Sequence, residues 1–204
     1  MAGHFFRTGT VKLVDIAAAA KELKSPLGTF GICGNHDWWD DLTTQKTGNG
    51  PTIAEKAFVA AGIPMLENRV QRLEKDGKAF WLTGTSSIVA IKTRRPGRFR
   101  SLARLDETLA QITDDAPVIH LAHEPDLFIE IPDRVSLTLS GHTHGGQVRL
   151  FGYSPITPSA FGNRFAYGHV VEDGRHLVVS GGLGCSMLPV RFGMPPEIVV
   201  LDLG

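Results

Sequence analysis

Three apolar runs in this chain end the same way, in a short polar loop rich in residues that bind ligands or transfer protons. They are "TFGIC" before Gly34-Asn35-His36-Asp37, "PVIHLA" before His123-Glu124-Pro125-Asp126, and "VSLTLS" before Gly141-His142-Thr143-His144-Gly145-Gly146. Short apolar runs bounded by turn residues read as buried strands. In open α/β sheets the carboxyl ends of strands border the crevice where ligands sit. The pattern therefore predicts a sheet with one site gathered at the ends of three strands.

The other segments fit that frame. Apolar spacing in "TVKLVDIAAAAKELK", at Val11, Val14, Ile16, Ala17, Ala20 and Leu23, predicts a helix stopped by Ser25-Pro26-Leu27-Gly28. After the loop "GNHDWWDDLTTQKTGNGP", Thr52 and Glu55 read as a capping box opening the helix "IAEKAFVAAG", and "IPMLEN" as a strand. Asp76-Gly77 between two β-prone runs predicts a hairpin. Ser101 is expected to cap the helix "LARLDETLAQI". "QVRLFG", "FAYGHVVEDGRHLVVSGG" and "EIVVLDL" read as strands, with "EDGR" a turn. A length of 204 residues and 42% hydrophobic content suit one folded domain, 1–204, with sheets face to face and helices outside.

Composition excludes several classes. Basic and acidic residues balance at 21 each, so no bulk field draws the chain to nucleic acid or anionic lipid. Cys33 and Cys185 lie far apart, which argues against a disulfide framework or zinc knuckle and for buried free thiols. No run is long enough to span a bilayer, and the first residues lack a secretory signal, so the chain as given reads as soluble and cytoplasmic by default.

If residues 142–144 form a strand, His142 and His144 share a face and aim at one point. The flanking glycines leave room for a ligand, and neutral imidazole is the commonest metal-binding side chain. A lone H-x-H is usually polar surface; three such sites at three strand ends outweigh that reading.

"GNHD", the histidine of "LAHEPD", and "GHTHGGQ" stand in the order found in the calcineurin-like metallophosphoesterases, which the sequence resembles over essentially its whole length. "GHTHGGQVRLFG" with "VVSGGLGCSMLPVRFGMPPEIVVLDL" is most similar to a bacterial branch of phosphodiesterases and phosphatases, some of them membrane-associated. The resemblance implies an α/β fold, a four-layer α/β/β/α sandwich. It implies that Asn35, His123 and His142 bind one divalent ion and His144 a second, with His36 as proton donor to the leaving oxygen. Two ions some 3.5–4 Å apart activate a shared water and clamp the phosphate oxygens of such esters. Amide and imidazole donors favour manganese, iron or zinc over magnesium alone.

Those four ligands are uncharged, so nothing among them offsets two dications. The family supplies that charge from D-x-H and G-D motifs on its first two strands, and neither motif occurs in this chain. The expectation is an N-terminally truncated domain lacking one strand-helix-strand unit, with poor solubility. Asp37, Glu124 and Asp126 are expected to orient neighbours or shape loops rather than bridge metals.

Other signals leave two readings each. Lys92, Arg94, Arg95, Arg98, Arg100 and Arg104 form a solvated face or a phosphate-binding cluster. Arg191 reaches the site's mouth or makes a structural contact to a carboxylate or carbonyl. Trp38 and Trp39 wall a pocket or pack. His4, His120, His169 and His176 read as structural. Substrate selectivity is placed in the loops "WWDDLTTQKTGNG" and "FGYSPITPSAFGNR". The expected function is hydrolysis of a phosphomono- or phosphodiester by a metal-bound hydroxide. The alternative is an inactive domain that binds a metal or a phosphorylated partner without turnover.

Overall fold

The computed structural model describes residues 12–186 and 189–203. Val11 and His4 lie outside these residues. Helix α1 (Leu13–Lys21) forms where the apolar spacing places it, with Asp15 in its first turn and Lys21 in its last, both favourable to the helix dipole. Helix α4 (Ile53–Ala60) begins as expected, Thr52 Oγ1 accepting the Glu55 N–H at 3.0 Å.

"TFGIC" and "IPMLEN" do not become strands. Among the described residues they meet at one parallel bridge, between Gly31 and Met65. The segment read as a loop after Gly34 holds two short helices, α2 (Asn35–Trp39) and α3 (Leu42–Thr47). Asp41 Oδ1 caps α3 through the N–H groups of Thr43 and Thr44.

The hairpin at Asp76-Gly77 joins β1 (Arg69–Lys75) to β2 (Lys78–Gly84). Asp76 and Gly77 take φ of 53° and 76°, the left-handed pair that a tight hairpin turn requires. Beyond β2 a small ribbon, β3 (Ile91–Lys92) with β4 (Phe99–Arg100), carries the basic run. Helix α5 (Leu105–Leu109) is shorter than expected, and Arg104 rather than Ser101 precedes it. Asn68 explains this, holding Leu102 O at 2.9 Å and the Arg104 N–H at 2.9 Å so that residues 102–104 stay outside the helix.

Strands β5 (Val118–Leu121) and β6 (Leu137–Ser140) follow, then the hairpin β7 (Gly168–Glu172) and β8 (Arg175–Val179). The sheet order is β1-β2-β5-β6-β8-β7. The inner four strands run parallel, and β1 and β7 close the edges antiparallel. The main core packs on one face, where Trp81, Val118, Leu177 and Val179 meet Leu105, Leu127, Phe128, Ile131 and Phe165. A smaller cluster of Cys33, Trp38, Met65, Ala90 and Ile91 seats α2.

"QVRLFG" forms only single bridges, Val148 with Phe192 and Leu150 with Tyr153. "EIVVLDL" is irregular and joins no strand, with Ile198 71% and Val200 88% exposed. It lies beside β7 and β8 around a cavity of about 580 Å³. Its run of β-prone residues makes a strand only where packing against neighbouring strands supports one.

Candidate metal centre

Parallel β5 and β6, paired Leu121 to Leu139, end side by side, and the Gly141 N–H donates to His123 O at 3.1 Å. That bond ties the second polar loop to the third. Across from them α2 starts at Asn35. The Asn35 Oδ1 atom lies 3.0 Å from His123 Nε2 and 3.2 Å from His142 Nδ1. The two imidazoles stand edge to face with ring centres 5.1 Å apart.

Gly34 permits this approach. A Cβ there would fall 2.6 Å from His123 Cε1, so any larger residue displaces the ring. The Gly34 N–H donates to Asp37 Oδ2 at 2.8 Å, which fixes the entry into α2. Burial pushes the Asp37 carboxyl up to about 6, against the pull of that N–H.

His142 and His144 do not share a strand face. Residues 142–147 form a tight turn in which His142 has φ 65°, His144 φ 53° and Gly145 φ 63°. Left-handed backbone at non-glycine residues costs on the order of 1 kcal/mol each and persists where the surroundings enforce it. Thr143 braces the turn, its Oγ1 donating to Ala166 O at 2.6 Å, and Ser154 Oγ donates to Gly145 O at 2.9 Å. The two rings meet different partners. His142 turns to Asn35, while His144 Nδ1 sits 3.1 Å from Gly184 O. Burial lowers the His144 pKa, and the Gly184 carbonyl opposes the shift. Arg191 meets the same carbonyl through Nε at 3.0 Å and Gly181 O through Nη2 at 2.7 Å, so its contacts are to backbone carbonyls.

Glu124 joins the ligand-bearing group: single donor atoms of His123, Glu124 and His142 lie within 4.8 Å of one another. Both of its oxygens are also engaged, accepting from Ser87 Oγ at 2.6 Å and the Ile88 N–H at 3.0 Å. Burial pushes its carboxyl up to about 7. Sequence reasoning missed Ser87 and Ile88 as its partners; the signal was a polar run after β2, Thr85-Ser86-Ser87, that is fully buried.

His36 is buried beside the group, Nδ1 3.7 Å from Asp40 Oδ2 and its ring 4.9 Å from that of Trp39. Trp38 packs in the small core, whereas Trp39 lines a cleft. Asp126 accepts from Ser159 Oγ at 2.5 Å and the Ala160 N–H at 2.7 Å, anchoring the 153–162 loop next to the site. His120 is structural, as expected, held by Thr83 and Thr85. His169 and His176 stack on each other with ring nitrogens 2.9 Å apart. Cys33 is a buried free thiol, while Cys185 is free but only half-buried.

An amide oxygen and two imidazole nitrogens meeting within hydrogen-bond distance form a donor set that suits a divalent transition metal. The chain is 33% identical over 185 residues to a Bacillus subtilis protein named uncharacterized metallophosphoesterase YkuE, an alignment covering 90% of this chain and 58% of that protein. It is 28% identical over 195 residues to phosphodiesterase YaeI of Escherichia coli, covering 91% of this chain and 63% of that one. A Danio rerio transmembrane protein with metallophosphoesterase domain is 31% identical over 201 residues, 94% of this chain and 42% of that protein. The chain thus spans less than two thirds of the length of these three relatives. No family profile and no solved structure matches. Among the described residues no helix is long and apolar enough to cross a membrane.

Proposed function

The chain belongs to the calcineurin-like metallophosphoesterases, and on that premise we propose that residues 1–204 form a domain hydrolysing phosphomono- or phosphodiesters with the help of bound divalent metal. The observation that carries the reading is the meeting of Asn35, His123 and His142 at one oxygen. These three residues would hold one ion and His144 a second, of manganese, iron or zinc. Bound there, the metal supplies an activated water and charge to clamp the phosphate oxygens.

The chain's own residues do the rest. His36 holds the proton that passes to the leaving oxygen, with Asp40 beside Nδ1 and Trp39 against the ring to orient it. Asp37 and Glu124 position the loops that carry Asn35 and His123. Arg191 steadies the Gly184 carbonyl that meets His144. The sheet would be one half of the four-layer sandwich. Its face opposite the main core supports this, since Leu82, Ile119, Leu121 and Leu139 are only partly covered.

A second reading, an ion- or phosphate-binding domain without turnover, is favoured by the uncharged ligand set and by the engagement of Glu124 elsewhere. One experiment separates the readings: metal content together with hydrolysis of an aryl phosphodiester in added manganese, for this chain and His142→Ala. Bound metal with turnover abolished by the substitution supports the enzyme. Metal binding without turnover supports the second reading, and absence of metal refutes the enzyme and the ion-binding form of the second reading.

A further inference from the structure

The cleft beside Trp39 has the makings of a binding site. Trp39, Lys92, Arg95, Arg98 and Phe99 line a space of about 290 Å³ between α2 and the turn of the β3–β4 ribbon. Phe99 stacks on Trp39 with ring centres 5.1 Å apart and planes 15° apart, and Lys92 Nζ sits 4.7 Å from the Trp39 ring centre. The same indole also meets His36, with ring centres 4.9 Å apart and planes 58° apart. Trp39 therefore touches both the proposed proton donor and the cleft that Lys92, Arg95 and Arg98 line.

That arrangement is held in place. Gln45 bridges the ribbon to α2, its Oε1 accepting from the Lys92 N–H at 3.1 Å while Nε2 donates to Ala90 O at 2.8 Å and Trp38 O at 3.0 Å. Trp39 Nε1 donates to Val89 O at 2.8 Å. The turn closes on itself through Thr93 Oγ1, which donates to Arg98 O at 2.9 Å and accepts from the Arg95 N–H at 3.2 Å.

The charge is uncompensated. From Gly77 to Leu105 the chain carries no Asp or Glu, and among the described residues Lys92, Arg95 and Arg98 make no ion pair. Like charges gathered on an ordered turn repel one another, and an anion between them removes that cost.

We propose that this cleft is a second anion subsite, receiving a phosphate-class dianion on the leaving-group half of a substrate whose scissile phosphate lies at Asn35, His123 and His142. The assignment rests on the phosphoesterase reading above and narrows it, to esters whose leaving group carries its own phosphate. The leaving group would extend past His36 and Trp39 to reach the cations.

Two measurements test it. Calorimetric titration of inorganic pyrophosphate into chain freed of metal should show one site, weakened at least tenfold in Lys92→Ala/Arg98→Ala and retained in His142→Ala. No binding, or equal binding in the double variant, overturns the subsite. In manganese, the preference for a diester with a phosphorylated leaving group over bis(4-nitrophenyl) phosphate, taken as a ratio of kcat/KM, should fall at least tenfold in the double variant. A ratio that does not move places the anion outside the substrate path and overturns the leaving-group assignment. If wild-type chain hydrolyses neither ester, the phosphoesterase reading fails and the leaving-group assignment fails with it, while the calorimetry still decides whether the cleft holds a dianion.

Discussion

Asn35 Oδ1 lies 3.0 Å from His123 Nε2, although 88 residues separate them in the chain. The amide belongs to the first turn of a five-residue helix and the imidazole to the loop after β5, so their meeting depends on both loops being held. If this oxygen is a ligand, Asn35→Ala should lower manganese affinity by at least the roughly ten- to hundredfold that loss of a residue orienting a ligand costs. Asn35→Asp should restore it and add charge. His144→Ala, whose ring faces Gly184 instead, should change the first ion's affinity by less than about threefold. Equal losses in Asn35→Ala and His144→Ala, read by calorimetry, would refute the division of ligands.

Glu124 is buried with both oxygens bonded, to Ser87 and Ile88. Glu124→Ala leaves a buried hydroxyl and a buried N–H without that acceptor. Urea unfolding should register a loss of about 2–3 kcal/mol, with metal affinity reduced because His123 is the next residue. Glu124→Gln keeps the shape and one acceptor, so it should retain most of the stability. Metal affinity unchanged in a folded Glu124→Ala would show that this carboxylate does not position His123.

His120 is fully buried between Thr83 and Thr85, and burial lowers its pKa from 6.5 to about 4. The folded state keeps the ring neutral while the unfolded chain takes up a proton below 6.5. Stability from this group is therefore present above that pH and is lost as pH falls towards 4. Between pH 7.5 and 5.0 the loss should be about 2 kcal/mol. His120→Gln removes the titration, so its stability should change less over the same interval. Parallel pH profiles for the two proteins, by denaturant midpoint, would contradict the assignment.

Apolar side chains remain exposed along the 148–156 loop and the 197–203 segment, among them Ile156 at 81% and Val200 at 88%. Contiguous exposed apolar surface drives association. Light scattering behind a sizing column should show concentration-dependent oligomers of the isolated chain, dispersed by Val200→Lys and Ile156→Lys. A monodisperse monomer with a cooperative melt would count against it.

Much of the site was legible in sequence because its signals are local. Each polar loop announced itself by following an apolar run, and Asp76-Gly77 and Thr52 marked a hairpin and a cap through chemistry acting over a few residues. Other features were not legible for the same reason. "EIVVLDL" is rich in β-prone residues but pairs with no strand, "TFGIC" stops at a single bridge, and α5 is cut short by a distant asparagine.

By itself the sequence determined which donors the chain carries, in which order, and that each group follows an apolar run. The tertiary structure decided which of them meet. His142 and His144 are neighbours in sequence, yet a left-handed turn sends one to Asn35 and the other to Gly184. Asn35 and His142, 107 residues apart, come together because β5 and β6 lie adjacent and parallel and the first turn of α2 meets the loops that follow them. Periodicity reports on residues within a turn or a strand; strand order and backbone handedness are settled only when the whole core packs.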